Sequence, residues 1–365
     1  MYKLPKFQIQ IIPHQLQFKF KAGTSRGVLT EKTVYYLKLW DVENPNVVGV
    51  GECAPLVKLS IDDIPDFEEK LEEICIEVTD LESIEDIYGL SGIESFPSII
   101  TGLEMAFLDL ENGGKKLIYD SDFHAGKTRV PINGLIWMGD KEFMFQQIRE
   151  KLEAGFDCIK MKIGAIDFEQ ECELLNFMRK QFSAKELTLR VDANGAFAPK
   201  EALEKLKRLS EYELHSIEQP IKAGQFAEMA KLCEQTPLPI ALDEELIGVH
   251  KTEAKCNLLK QIQPQYIILK PTLMGGFRSS EEWIQLAESQ NIAWWMTSAL
   301  ESNIGLNAIA QFTAKHQVKV PQGLGTGQLF HNNISSPLEI ENGEIFYDSK
   351  VDWKEVGGRG KNKEK

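Results

Sequence analysis

After Arg129 the sequence alternates short apolar runs with longer amphipathic stretches, and this alternation restricts the fold more than any other feature. The segments between the runs, such as 142–155, 168–182 and 199–212, have the periodicity of amphipathic helices. Strand–helix alternation on this scale predicts parallel β/α units, and eight strands in roughly 200 residues suit a closed barrel better than an open sheet. The eight runs are VPINGLIW, CIKMKIG, LTLRVDANG, LHSIEQP, LPIALDE, YIILKPT, IAWWMTS and QGLGTG.

The first 125 residues have a different texture. Residues 6–20 and 33–52 contain β-like runs, and residues 62–113 change to a helical pattern. Pro97 stands near the start of the last predicted helix and two glycines follow its end, which is the usual order of these residues around a helix. The pattern therefore predicts an α+β domain over 1–125 and a β/α barrel over 126–330. The polar stretch 351–365 is interpreted as a disordered tail.

Composition excludes several classes of function. The net charge of −14 argues against a nucleic-acid partner, and no apolar run is long enough to cross a membrane. The N-terminus lacks the apolar core of a signal peptide, and the six cysteines include no C-x-x-C pair. Free thiols in a reducing cytoplasm explain these cysteines better than disulfides or a zinc site. No feature of the sequence specifies an oligomeric state.

Ionisable residues stand at the ends of five successive predicted strands. The steps along the chain between them are 30, 26, 25 and 27 residues, which is one β/α unit each time. In a β/α barrel the carboxyl ends of the strands form the active-site face, so we expect the five side chains to meet at one rim. The five residues are Lys162, Asp192, Glu218, Asp243 and Lys270.

The three acidic members predict a metal site. Asp192, Glu218 and Asp243 come from adjacent strands, and three carboxylates at close range repel one another unless a cation lies between them. An all-oxygen ligand set favours Mg²⁺, or Mn²⁺ in its place, over zinc. Magnesium keeps positions open for other ligands, so the expected partner is a small-molecule carboxylate.

The lysines flank these carboxylates. Lys162 precedes them and Lys270 follows them, so the two are expected to face each other across a bound substrate. Lys160 lies two residues before Lys162 and points to the same side of its strand, and their mutual repulsion is expected to favour a neutral lysine. Such a lysine can remove a proton next to a carboxylate. Asn194 either shapes the turn after Asp192 or supports the groups that bind substrate.

These motifs resemble the muconate-lactonising subgroup of the enolase superfamily. The resemblance rests on K-x-K at Lys160–Lys162, D-x-N at Asp192–Asn194, E-Q-P from Glu218, D-E at Asp243 and the single Lys270. GECAPL at 51–56 and TGLEMAFLDLE are similar to segments of the subgroup's capping domain. The resemblance implies a (β/α)7β barrel of the TIM type, a magnesium ion, and an α+β cap to which residues 331–350 return.

Three loops narrow the expected activity. The segments 23–33, 297–305 and 323–330 resemble those of subgroup members that dehydrate a succinyl-bearing cyclohexadiene carboxylate in menaquinone biosynthesis. The resemblance implies that Lys162 takes the α-proton and that Lys270 stabilises the intermediate from the opposite face. The 22–27 stretch is expected to close over the barrel mouth. The substrate contacts implied are Lys160, Thr24, Arg26, Ser298 and Thr326.

Other activities of the same superfamily stay open at this point. Dipeptide epimerases carry an acidic motif in the last barrel strand, where this chain has Gly325–Thr326–Gly327, so the sequence disfavours them. Glu301 is the nearby carboxylate that would restore that reading by binding a peptide ammonium. N-acylamino acid racemisation uses the same lysine pair and is a second alternative. A barrel without catalysis that serves only for binding is a remote third.

Overall fold

A computed structural model describes residues 6–24 and 27–357. The N-terminal part contains an antiparallel sheet of three strands, β1 (Phe7–Thr24), β2 (Gly27–Asp41) and β3 (Gly49–Cys53), in that order. Two helices pack on it, α1 (Phe67–Val78) and α2 (Pro97–Glu111). Pro97 is the first residue of α2, as the sequence predicts. Together these elements form an α+β cap with its own apolar core.

The second part is a parallel β/α barrel. Val130–Pro131 (β4) leads into seven hydrogen-bonded parallel strands, and helices follow the strands on the outside. The strands are β5 (Gly134–Ile136), β6 (Cys158–Lys162), β7 (Thr188–Asp192), β8 (Ser216–Glu218), β9 (Ile240–Leu242), β10 (Tyr266–Leu269) and β11 (Ala293–Met296). The helices are α3 (Lys141–Glu153), α4 (Phe168–Gln181), α5 (Pro199–Ser210), α6 (Phe226–Gln235), α7 (Thr252–Ile262), α8 (Pro271–Met274), α9 (Gly276–Ser289) and α10 (Asn303–Lys315).

The barrel closes through a very short eighth segment. Gln322 forms a parallel bridge with Ile132, just before β5, and Gly323 forms one with Thr297, just after β11. From Gly325 to Gln328 the chain turns into a 3-10 helix, so the predicted last strand has two bridging residues rather than six. The architecture is a (β/α)7β barrel with an α+β cap, and the predicted fold class is confirmed.

The C-terminal residues contact both parts of the molecule. The backbone N–H of His331 donates to Gln17 in the cap, whereas β12 (Leu338–Glu341) and β13 (Glu344–Tyr347) form a hairpin that pairs with β4. Val356 is buried against residues of the cap, which the interpretation of 351–365 as a disordered tail did not anticipate. Residues 358–365 lie outside the described part of the chain. Within the described part, no helix is long and apolar enough to span a membrane. The domain limits stay a prediction.

Candidate active site

Strand register brings the predicted ionisable residues to one rim. Lys162 pairs with Asp192 across β6 and β7, and Asp192 pairs with Glu218 across β7 and β8. Asp243 follows the end of β9, and Lys270 follows the end of β10. Side chains alternate along a strand, so Met161 packs in the core around the barrel while its two lysine neighbours face inward. We call these five residues with Lys160 the arc.

Ion pairs connect the members of the arc. The Nζ atoms of Lys160 and Lys162 each lie 3.1 Å from Asp192 Oδ2, and Lys160 also donates to Glu218 Oε2. Lys270 donates to Asp243 Oδ2 and lies 4.0 Å from Glu218 Oε1. All six side chains are buried. The arc is therefore a continuous buried network of three lysines and three carboxyl groups.

The charges shift the pKa values in opposite directions. Burial alone would lower the pKa of Lys160, but the carboxylates of Asp192 and Glu218 outweigh it and raise the pKa. The neutral lysine expected from repulsion between neighbours is therefore wrong for Lys160, because the attraction of the carboxylates is stronger. Lys270 behaves in the same way, since Asp243 and Glu218 raise its pKa against burial.

Glu218 is the carboxyl of the arc that takes up a proton most readily. Burial, followed by the neighbouring charge of Asp192, raises the pKa of Glu218 to about 8, although Lys160 donates to it. The lysine charges outweigh burial at Asp192 and Asp243 and hold the pKa of each below its ordinary value. Burial and carboxylate repulsion at Glu218 thus exceed what the lysines compensate.

The carboxylate oxygens fit a divalent cation chemically. Glu218 Oε1 and Asp243 Oδ1 are buried and accept no hydrogen bond from the described residues. An unpaired buried carboxylate oxygen is costly, and a hard cation such as Mg²⁺ removes that cost. Within the described ranges, no three His, Cys, Asp or Glu side chains stand in an arrangement that would hold a metal as they are. Metal binding to the arc therefore requires its side chains to rearrange.

A cavity of about 280 Å³ lies over the arc. Lys160, Lys162, Asp192, Asn194 and Lys270 line one side of it. Its other walls are mainly apolar and come from the cap segments 27–29 and 56–59, from Leu135 and Trp137, and from the loops 297–300 and 323–329. The arrangement places ionisable lysines beside a pocket large enough to bury a small organic acid.

Residues 27–29, at the start of β2, form the lid of this cavity. Gly27, Val28 and Leu29 line it, and Gly23 bridges to Met138 on the barrel. A Cβ atom at Gly23 would lie 2.4 Å from the Met138 carbonyl oxygen, so this close approach requires glycine. The side chain of Thr24 and the whole of Arg26, two predicted substrate contacts, lie outside the described residues.

The structure separates the other predicted contacts. Ser298 and Thr326 line the cavity, and their hydroxyl groups form a hydrogen bond with each other. Glu301 is buried but does not line the cavity, because its oxygens accept hydrogen bonds from the Thr272 hydroxyl and from the Ala299 N–H. The carboxylate that would favour a peptide substrate thus serves as a bridge within the barrel rim.

Asn194 combines the two roles considered from sequence. It has a positive φ of 42°, as a turn residue does, and its N–H donates to Asp192 Oδ1. Its side-chain oxygen accepts from Lys162 Nζ at 2.8 Å, and its amide donates to Glu244 at 3.1 Å. Asn194 therefore orients both Lys162 and Asp192.

Sequence reasoning missed the groups that attach the cap to the barrel. Glu52 of β3 accepts from the N–H groups of Ser302 and Gly305 at the start of α10. Lys32 of β2 donates to the carbonyls of Ala299 and Leu300. A lysine among the apolar residues of β2 and a glutamate inside a buried strand were the available signals, but their partners lie about 250 residues away in sequence. Trp137 also lines the cavity.

The fold and the site define a β/α-barrel enzyme with buried lysines beside a carboxylate cluster, and comparisons with known proteins agree. Residues 144–350 match the family described as enolase C-terminal domain-like. The chain is 47% identical over 355 residues to the o-succinylbenzoate synthase of Desulfotalea psychrophila, covering 90% of this chain and 95% of that protein. It is 30% identical over 300 residues to the N-succinylamino acid racemase of Thermus thermophilus, covering 80% and 78%.

A solved structure extends the similarity to the whole fold. The crystal structure of MenC from Desulfotalea psychrophila superposes with a TM-score of 0.84 at 42% identity, covering 93% of this chain and 99% of that one. Together with the family match, this similarity covers both the cap and the barrel. The chain belongs to the enolase superfamily.

Proposed function

We propose that this protein is a carbon–oxygen lyase that dehydrates 2-succinyl-6-hydroxy-2,4-cyclohexadiene-1-carboxylate to 2-succinylbenzoate, as an o-succinylbenzoate synthase of the muconate-lactonising subgroup. The observation that carries the proposal is the pair of buried lysines, Lys162 and Lys270, which line one cavity and flank three carboxylates. The 47% identical relative with this name supports the choice of reaction.

Asp192, Glu218 and Asp243 would hold Mg²⁺, with Mn²⁺ as a substitute. The bound ion would neutralise the negative charge that develops on the substrate carboxylate when the adjacent proton leaves. Lys160, which lies against two of these carboxylates, would provide a second positive charge for the same substrate group. The two unpartnered carboxylate oxygens described above support this assignment.

Lys162 would carry the proton through the reaction. Its amine removes the proton from the carbon that bears the carboxylate, and the C–H electron pair is delocalised over that carboxylate and the ring until the C–O bond breaks. The same lysine, now an ammonium, donates this proton to the hydroxyl group on the same face, and the C–O bond breaks to release water. One water is lost and the ring becomes aromatic. Asn194, which accepts from Lys162 at 2.8 Å, would orient the amine between these two positions.

Lys270 would act from the opposite side. It stands at the other end of the arc, its pKa is raised by Asp243 and Glu218, and it therefore stays an ammonium. A fixed positive charge there stabilises the electron-rich ring, both through its charge and through a cation–π contact as aromaticity develops. Lys270 thus needs no proton transfer of its own for the dehydration.

Racemisation of N-succinylamino acids is the second candidate. It is favoured by the 30% identity to a racemase of that name and by the same pair of lysines, one for each face of the α-carbon. Dipeptide epimerisation is disfavoured. Of the described cavity-lining residues Asp192 is the only acidic one, and it already pairs with two lysines, so a peptide ammonium finds no free carboxylate.

The test is a comparison of kcat/KM for the cyclohexadiene carboxylate with values for N-succinylamino acids and dipeptides in the presence of Mg²⁺. We expect dehydration to lead by at least about a hundredfold, equal to about 2.7 kcal/mol in transition-state binding. Lys162→Ala assayed in parallel gives the background for each substrate. Efficient epimerisation or racemisation without detectable dehydration would contradict the proposed reaction.

A further inference from the structure

The loop that follows β11 forms one wall of the cavity and has an unusual backbone. Ser298, Ala299 and Leu300 all line the cavity and are buried. Leu300 has a φ of +65°, a left-handed conformation that residues with a side chain rarely adopt. Such a conformation persists only where surrounding contacts hold it.

Lys32 of the cap provides such contacts. Its Nζ lies 2.7 Å from the carbonyl oxygen of Ala299 and 3.1 Å from that of Leu300, and only 2% of the residue is exposed. An amino group this deeply buried has few alternatives to these two acceptors. Burial lowers the pKa of Lys32, and the nearby carboxyl groups of Glu301 and Glu52 offset only part of that effect. Lys32 therefore ties the backbone of the cavity wall to the cap.

The same lysine stands beside the lid. It is three residues beyond Leu29, which lines the cavity, on the continuous strand β2. Leu16 of β1 pairs with it, so its backbone is fixed in the hairpin that carries the lid. One side chain thus connects the strand that carries the lid with the Ser298–Leu300 wall.

We propose that Lys32 is a positioning residue of the active site, which holds the Ser298–Leu300 wall and residues 27–29 together around the bound substrate. The inference rests on the proposed function for the identity of that substrate. The rigid wall selects for the organic part of the substrate, whereas the arc acts on its carboxylate. Removing Lys32 should therefore weaken substrate binding much more than it slows proton transfer.

The primary test is Lys32→Met, which keeps an unbranched chain but removes the donors. We expect KM to rise at least tenfold while kcat falls less than threefold. Hydrogen exchange measured by mass spectrometry should become faster in peptides that cover 27–31 and 297–302. The matched control is Lys255→Met, another buried lysine, which pairs with Glu282 on the outside of the barrel. It should alter neither KM nor exchange in those two segments.

A wild-type KM and wild-type exchange in folded Lys32→Met would overturn the proposal. The proposal would also fail if Lys255→Met changed KM and exchange in the two segments as much as Lys32→Met does. If Lys32→Met does not fold, Lys32→Arg decides. Its planar guanidinium is larger than the amino group of lysine and cannot occupy the same buried position between the two carbonyls, so a smaller change in the same direction is expected, and none would overturn the proposal. The exchange measurement needs no turnover, so it tests Lys32 even if the proposed dehydration is absent.

Discussion

Two sets of buried carboxylates lie within this molecule, and they are satisfied in different ways. In the arc, Glu218 and Asp243 each keep one oxygen without a hydrogen-bond donor among the described residues. At the junction of cap and barrel, Glu52 accepts from Ser302 and Gly305, and Glu104 of α2 accepts from the N–H groups of Phe277 and Arg278 at the start of α9. Both oxygens of each junction carboxylate are used.

The difference separates binding from stability. Backbone N–H groups at a helix start need acceptors, and the oxygens of Glu52 and Glu104 provide them, so the junction carboxyl groups stabilise the fold. The arc carboxylates repel one another and keep acceptor capacity for a ligand, which costs stability and prepares a site. Substitutions in the arc should therefore remove activity while the fold is retained. Substitutions at the junction should lower the stability of the fold while the activity of each folded molecule is retained.

Removal of divalent metal should cause the largest loss of activity without loss of the fold. Treatment with EDTA should abolish turnover, because the arc carboxylates would lack the cation that binds the substrate carboxylate. Mg²⁺ or Mn²⁺ should restore it, and circular dichroism should show the fold unchanged throughout. Calorimetric Mg²⁺ binding should be lost in Asp243→Asn. Full activity of metal-stripped protein would remove the metal from the site.

Lys162→Ala should come next in size. We expect kcat to fall about 10²–10⁴-fold, the usual contribution of a positioned acid or base. Exchange of the substrate α-proton with solvent deuterium, followed by NMR, should cease as well. Thermal unfolding should stay close to wild type, because Asp192 keeps its pairing with Lys160. Dehydration at the normal rate would mean that the base is another residue.

Glu52→Ala should show the opposite behaviour at the junction of cap and barrel, with a loss of stability rather than of activity. Loss of this carboxylate leaves two backbone donors and the Ser302 hydroxyl without an acceptor, and we expect a decrease of about 3 kcal/mol in the free energy of unfolding. Denaturant titration measures it, and Glu339→Ala, at an exposed position of the C-terminal hairpin, is the matched control with little change. A kcat per folded molecule reduced as strongly as by Lys162→Ala would contradict the separation.

The smallest effect concerns Glu104 and pH. Burial raises the pKa of Glu104 from its ordinary 4.5 to about 7, so the native state keeps its proton to higher pH than the unfolded chain does. Its contribution to stability is complete below about pH 4.5 and is lost as pH rises through about 7. Relative to Glu104→Gln, the wild type should lose on the order of 2 kcal/mol over that window. Denaturant titrations of both proteins across pH 4.5–7 measure this difference. An equal dependence of the free energy of unfolding on pH in the wild type and in Glu104→Gln would contradict the prediction.

The sequence by itself predicts the barrel and the arc. Lys162, Asp192 and Glu218 lie at the carboxyl ends of three strands. Parallel pairing places such ends at one rim, independently of the cap and the loops. Periodicity also gives the cap strands and α2, because hydrophobic pattern and the position of Pro97 are local signals. The chemistry of the site therefore follows from residue type and repeat length.

Only the tertiary structure decides which side chains surround the substrate and which charges the fold itself consumes. Glu301 lies next to a cavity-lining loop in sequence, yet its oxygens bind Thr272 and Ala299 and it faces away. The partners of Lys32 and Glu52 lie in the 299–300 loop and at the start of α10, more than 250 residues away along the chain, so the local sequence does not identify them. A local pattern specifies where a strand ends, whereas hydrogen-bond partners of a buried charge depend on segments that become neighbours only when the chain is packed.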